Sequence, residues 1–165
     1  ISVGDVVETF LDRFAGELTQ DMRAGFERQG LTVPEAVTLA SIVEKEGVVD
    51  AERPMIASVF YNRLQAGMKL DSDPTVQYAL GYNANKQTWW TNPLSLDDLQ
   101  TDSPFNTYLY AGLPQHSISN PGLTALQAVA YPAQSPYYYF RARCDGTGTH
   151  AFAKTFEEHV QNACP

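Results

Sequence analysis

Apolar residues recur at helical spacing through most of this chain. Val3, Val6, Val7, Phe10, Leu11, Phe14 and Leu18 mark one amphipathic stripe, predicting a helix over 3–29 that ends at Gly30. Thr32-x-x-Glu35 has the spacing of a capping box, so a second helix is expected to start near Val33 and stop at Gly47. Val37, Ala40 and Val43 line one side of it, and Leu39 and Ile42 widen the apolar arc. A third helix is predicted from about Arg53 to Ala66, with Ile56, Val59, Phe60 and Leu64 inward and Gly67 at its end. Asp73-Pro74 reads as cap plus first-turn proline for a short helix ending at Gly81.

The pattern weakens over 82–119. Ser95-x-x-Asp98 predicts one helical turn, and the rest is dense in Pro, Gly, Asn and Ser and reads as loop. Asn120-Pro121 repeats the cap-plus-proline signal before a helix to about Tyr131. Tyr137 to Arg143 reads as a strand, Asp145-Gly146 and Gly148 as a turn, and His150 to Ala153 as the hairpin partner. Thr155-x-x-Glu158 opens a last helix to about Ala163. The expected fold is α+β: one helix-rich domain with a small antiparallel β-hairpin.

Composition narrows the function. The chain has 165 residues, 44% of them apolar, which suits one globular domain with a sizeable core. Its net charge of −8 argues against nucleic acid and against docking on anionic lipid. A polysaccharide is compatible with that charge. Nine Tyr, eight Phe and two Trp supply rings that can stack on sugars, although core packing is the commoner use. Two cysteines without CxxC spacing and three histidines make a poor metal set, so no metal and no cofactor are expected. The cysteine pair permits one disulfide in an oxidising compartment. The chain begins at Ile1, with no long apolar run and no signal-peptide pattern, and is expected to be a soluble domain cut from a longer protein.

Acid chemistry is the one candidate that stands out. Glu44 and Glu46 end an otherwise apolar helix, two positions apart, so they cannot share one face. Both border the apolar arc, and the helical projection does not choose between them. Burial beside a polar loop would keep one of them protonated near neutral pH, as glycosidic cleavage requires. A solvated helix end is the plainer alternative. Asp71 and Asp73 flank Ser72; Asp73 is expected to cap a helix, or to act as a second carboxylate in an ordinary glycosidase. There is no nucleophile elbow, no P-loop and no GxGxxG.

Six strings in order resemble one family: LASIVEKE (39–46), ASVFYNRLQAGMKLDSDPTVQYALG (57–81), SPFNTYLYAGLP (103–114), ISNPGLTALQAVAYPA (118–133), YYYF (137–140) and HAFAKTFEEH (150–159). Together they are similar to the catalytic domain of the endolytic murein transglycosylases, the YceG-like family, over about residues 32–160. The resemblance implies residues 1–31 as a linker helix leading from an absent LysM-like subdomain, and 32–165 as the catalytic domain. It implies cleavage of the β-1,4 bond between N-acetylmuramic acid and N-acetylglucosamine within peptidoglycan, leaving 1,6-anhydromuramyl ends and terminating nascent strands. It implies an extracytoplasmic site, a single-pass membrane anchor outside this stretch, and peptidoglycan synthases as partners. The family's catalytic glutamate falls on Glu44. Asp73, Thr75, Gln77, Asn106, Tyr108 and Asn120 match segments lining the family's cleft. The chain departs from the family pattern at Leu113–Ser117, at the two cysteines and at Trp89-Trp90.

The implied extracytoplasmic site is oxidising in many bacteria. A strand returning from Cys144 and a helix running to Cys164 could bring the two together, so they are expected to pair; two free thiols are the alternative. Two other functions stay open, a two-carboxylate muramidase using Glu44 and Asp73 and a glycan-binding scaffold without turnover.

Overall fold

The first three helix starts follow local side-chain caps. The structure, a computed structural model, describes residues 2–164. α1 (Val3–Glu17) opens with a capping box between Ser2 and Asp5, and α3 (Val33–Glu46) with one between Thr32 and Glu35. Each box satisfies amides that the first turn leaves without partners. The single helix expected over 3–29 is two. The chain turns at Leu18 and Thr19, and the Thr19 side chain accepts from the Met22 N–H to start α2 (Gln20–Arg28). The break lets Leu18, Met22 and Phe26 enter the core, while Val3, Phe10 and Leu11 on α1 stay exposed.

α3 is the centre of the molecule. Ala36, Leu39, Ala40, Ile42 and Val43 have no exposed surface. They pack with α2, with α4 (Arg53–Gln65) and with α6 (Leu123–Ala130). The core reaches back across the expected boundary at residue 32, because α2 lies directly on α6. At the crossing, a Cβ on Gly25 would stand 2.6 Å from the Ala130 carbonyl oxygen, so only glycine allows this approach.

Two expected caps are placed differently. Ser72, not Asp73, occupies the N-cap position of α5 (Asp73–Leu80), and Asp73 is its first helical residue. Gly122, not Asn120, precedes α6, and no side chain of its own segment caps that helix. In both cases a long-range contact takes the role that a local side chain was expected to fill.

The hairpin pairs β1 (Tyr139–Ala142) with β2 (His150–Ala153), antiparallel, with Tyr139 opposite Ala153 and Ala142 opposite His150. Phe140 meets Phe60 of α4 edge to face at 5.7 Å, which fastens the hairpin to the core. α7 (Phe156–Gln161) follows, capped by Thr155. Cys144 and Cys164 are joined by a disulfide, with Cα atoms 5.7 Å apart, so the end of β1 is tied to the end of α7. Over 82–119 the chain is irregular apart from an isolated antiparallel bridge between Asn83 and Thr88 and a 3-10 turn at Asp98–Gln100. Among the described residues, no helix is long and apolar enough to cross a membrane, and no group of three or more His, Cys, Asp or Glu could hold a metal ion.

Two stability outcomes follow from this packing. Gly25→Ala should lower stability by about 1–3 kcal/mol, because the methyl forces α2 off α6; a thermal melt reads it. Opening the disulfide releases a 20-residue separation, so Cys144→Ser should cost on the order of 3 kcal/mol on the chain-entropy account. Thiol titration of the unreduced, denatured wild-type chain should find no free thiol.

Candidate active site

The two glutamates at the end of α3 leave the helix about 200° apart, because each residue turns the helix by about 100°. They reach different surroundings. Glu44 Oε2 accepts from the Gly122 N–H at 3.0 Å, and its Oε1 accepts from Arg53 Nη2 at 3.0 Å. Arg53 also donates to the Thr124 hydroxyl and pairs with Asp50. Glu44 is therefore the missing cap of α6, and α3, α4 and α6 meet at its carboxylate.

Glu46 faces a cleft of about 570 Å³. The cleft lies between the end of α3, residues 68–73, Tyr108, the hairpin and α7. Glu46 is enclosed by protein on most sides and keeps a strip open to the cleft. Its Oε1 accepts from the Ser72 hydroxyl at 2.6 Å. Burial pushes its carboxyl up to about 7, and the negative charge of Asp73 pushes the same way. The Ser72 hydrogen bond and the Arg63 charge oppose the shift without cancelling it.

A buried polar relay holds Ser72. The Ser72 N–H donates to Thr107 Oγ1 at 3.1 Å, and Thr75 Oγ1 lies 2.9 Å from the same oxygen while donating to the Ser72 carbonyl at 2.7 Å. Beside it, Tyr108 donates its hydroxyl to Asp73 Oδ1 at 2.6 Å. Burial holds the Tyr108 phenol well above its usual range, and the hydrogen bond and nearby carboxylates add to the shift.

Arg63 closes the floor. Its Nη1 reaches Asp71 Oδ2 and the Lys69 and Leu70 carbonyls, each at 3.0 Å, and its Nε reaches the Tyr138 carbonyl at 2.6 Å. Asp71 is held with φ at 49°, a left-handed conformation that Asp tolerates better than most residues.

The residues singled out from the sequence thus divide. Asp73 and Tyr108 line the cleft with Glu46. Thr75 and Asn106 are fully buried; the Asn106 amide donates to the Leu99 and Thr101 carbonyls and so braces the loop. Gln77 donates to the Thr91 carbonyl and anchors the 82–94 loop. Asn120 is exposed and lies on another side, along an apolar groove between α1, α3 and α6. That groove, about 630 Å³, is slightly the larger of the two but holds no pair of carboxylates. Arg63, Arg141, His150 and His159 line the cleft without having been expected there. No periodicity marks them, although Arg63 lies in the string at 57–81, as Ser72 does, and His150 and His159 are the two ends of the string at 150–159.

The comparisons agree with the architecture. The chain matches the YceG-like family model over residues 1–164. It is 34% identical over 96% of its length to a Bacillus subtilis protein named endolytic murein transglycosylase, covering 41% of that protein. It is 31% identical over 98% of its length to a Streptococcus pneumoniae protein of the same name, covering 29% of it. The chain therefore spans less than half the length of these curated relatives. The crystal structure of a YceG-like protein from Listeria monocytogenes superposes with a TM-score of 0.84 at 38% identity, over 98% of this chain and 50% of that one. By sequence and by fold, this chain belongs to the YceG-like family.

Proposed function

We propose that this chain is the catalytic domain of an endolytic murein transglycosylase, with Glu46 in place of Glu44 as its acid-base group. The observation that carries this is the placement of Glu46, largely enclosed, with Oε1 on the Ser72 hydroxyl and an open edge on the cleft beside Asp73 and Tyr108, where burial raises its proton affinity. Glu44 is committed to Arg53 and to the N-terminus of α6, away from that cleft. The names of the curated relatives supply the substrate, murein, and the reaction. A murein substrate implies action outside the cytoplasmic membrane; a single-pass anchor outside residues 1–165 and peptidoglycan synthases as neighbours are carried over from the family resemblance alone.

The chemistry follows from one proton. Protonated Glu46 donates to the oxygen of the β-1,4 bond as that bond breaks, and the N-acetylglucosamine side leaves as an alcohol. Positive charge develops at C1 of the muramyl sugar. The Glu46 carboxylate then takes the proton of that sugar's C6 hydroxyl as O6 bonds to C1. The proton lost in the first half is regained in the second, and no water is consumed. A nucleophile already tethered to the substrate replaces a captured water and lowers the entropic barrier. Asp73, hydrogen-bonded to Tyr108, acts as a fixed negative charge that helps keep Glu46 protonated. A two-carboxylate muramidase would instead require water and would leave a reducing end.

Mass spectrometry of digested sacculi separates these outcomes: anhydromuramyl ends support transglycosylation, and reducing ends hydrolysis. Glu46→Gln should lower anhydro-end release by at least about 100-fold, the usual size of a general-acid contribution. Glu44→Gln should fold less stably and retain turnover. The reverse pattern would return the role to Glu44.

The raised affinity of Glu46 also has a signed effect on stability. The folded state favours the protonated acid, so that contribution is full below about pH 4.5 and is lost as pH rises through about 7. Glu46→Gln should therefore leave the melting temperature nearly unchanged below about pH 4 and raise it at pH 8. Activity limited by protonated Glu46 should fall as pH rises above about 7.

A further inference from the structure

The cleft has two ends of different character. Glu46, Asp71, Asp73 and Tyr108 make one end acidic. Tyr139 and Arg141 from β1, His150 from β2, and Phe156 and His159 from α7 line the other. Arg63 stands between them with its charge paired to Asp71 through Nη1, which also meets the Lys69 and Leu70 carbonyls, and with its Nε on the Tyr138 carbonyl.

Arg141 is not saturated. Its Nη1 donates to the His159 carbonyl at 3.3 Å, and among the described residues no carboxylate lies within ion-pair reach of it. His159 is incomplete in a second way. Its Nδ1 is buried and has no hydrogen-bond partner among the described residues. Burial, with the charges of Arg141 and Arg63, holds the His159 ring below its ordinary proton affinity. Tyr139 and Phe156 flank that ring, with centroids 5.5 and 6.1 Å away. An unpaired guanidinium and an unpartnered imidazole thus share an aromatic-walled recess, in a chain whose net charge is −8. A buried polar atom without a partner is rare, and a planar guanidinium suits a carboxylate.

We infer that Arg141 and His159 form a subsite for a carboxylate on the 3-O-lactyl arm of the muramyl sugar. This rests on murein as the substrate. The carboxylate is either the arm's own acid, in peptide-free strands, or an acid of the stem peptide attached there. The two sugars of the repeat both carry a C6 hydroxyl, but only the muramyl sugar carries the lactyl arm. Holding that arm at the α7 end sets the register of the strand, so that the muramyl C1, and not that of N-acetylglucosamine, is presented to Glu46. Arg141 is thereby a specificity-determining residue, and the disulfide that ties α7 to the end of β1 keeps the recess in shape.

The test uses three glycan strands: peptide-bearing murein, peptide-free murein with free lactyl acids, and peptide-free murein whose lactyl acids are converted to methylamides. Release of anhydro ends is followed for the wild-type chain and for Arg141→Gln. Arg141→Gln should raise KM about tenfold on a carboxylate-bearing strand, as expected for loss of a charge-assisted contact, with kcat and the methylamide strand unchanged. An effect confined to the peptide-bearing strand assigns the stem acid, and one on the peptide-free strand assigns the lactyl acid. An equal rise in KM on the methylamide strand would mean a purely structural role, and no change on any strand would mean no contact; either overturns the subsite. If the wild-type chain releases no anhydro ends from any strand, the transglycosylase assignment fails by itself. Equilibrium binding of the same strands to the two proteins then decides the subsite: loss confined to the carboxylate strands supports it, and equal binding overturns it.

Discussion

The last turn of α3 is anchored by the Glu44 carboxylate. The N-terminus of α6 presents amides with no partners inside their own helix, and its segment supplies no capping side chain. Glu44 answers the Gly122 amide from another element and is itself neutralised by Arg53. A carboxylate at a helix N-terminus is also favoured by the helix dipole. The junction fixes the rotation of α3 about its axis, because Glu44 can meet Gly122 in only one orientation. Two residues on, that rotation aims Glu46 at the cleft.

The cleft's chemistry depends on this rigidity. A carboxyl is held near neutrality only if water is kept off it and its neighbours cannot rearrange to solvate the charge. The Ser72–Thr107–Thr75 relay and the Arg63 clamp supply that constraint. They place one hydroxyl on Glu46, keep Arg63 occupied by Asp71, and leave Asp73 close enough to resist ionisation. Thr75 and Asn106, which match the family's cleft segments, are buried: Thr75 braces this wall, and Asn106 braces the loop at residues 99–101.

Charge is segregated along the cleft. The carboxylates gather around Glu46, and the Arg141 guanidinium, without a carboxylate partner among the described residues, lies toward α7. A strand bearing acids would be repelled by the first end and held by the second, so the electrostatics favour one placement of an asymmetric substrate.

The sequence by itself determined the helix starts at Thr32 and Thr155, the stop at Gly47, the hairpin turn around Asp145-Gly146, and the α+β class. Each is set by residues a few positions apart, where spacing and φ preferences act directly. It also brought Glu44, Glu46, Ser72 and Asp73 into view. It did not choose between the glutamates, because the helical wheel placed both at the border of the apolar arc. Tertiary structure separates the two through contacts 78 and 26 residues apart, Glu44 with Gly122 and Glu46 with Ser72, and only Glu46 lines the cleft. It likewise moved the cap of α5 to Ser72 and broke the first helix at Thr19, since in each case core packing outweighed a local preference. The basic end of the cleft left no local trace, because Arg141 and His159 meet only when the hairpin folds under α7. Proton affinity depends on what surrounds a carboxyl in three dimensions, and that is absent from its neighbours in the chain.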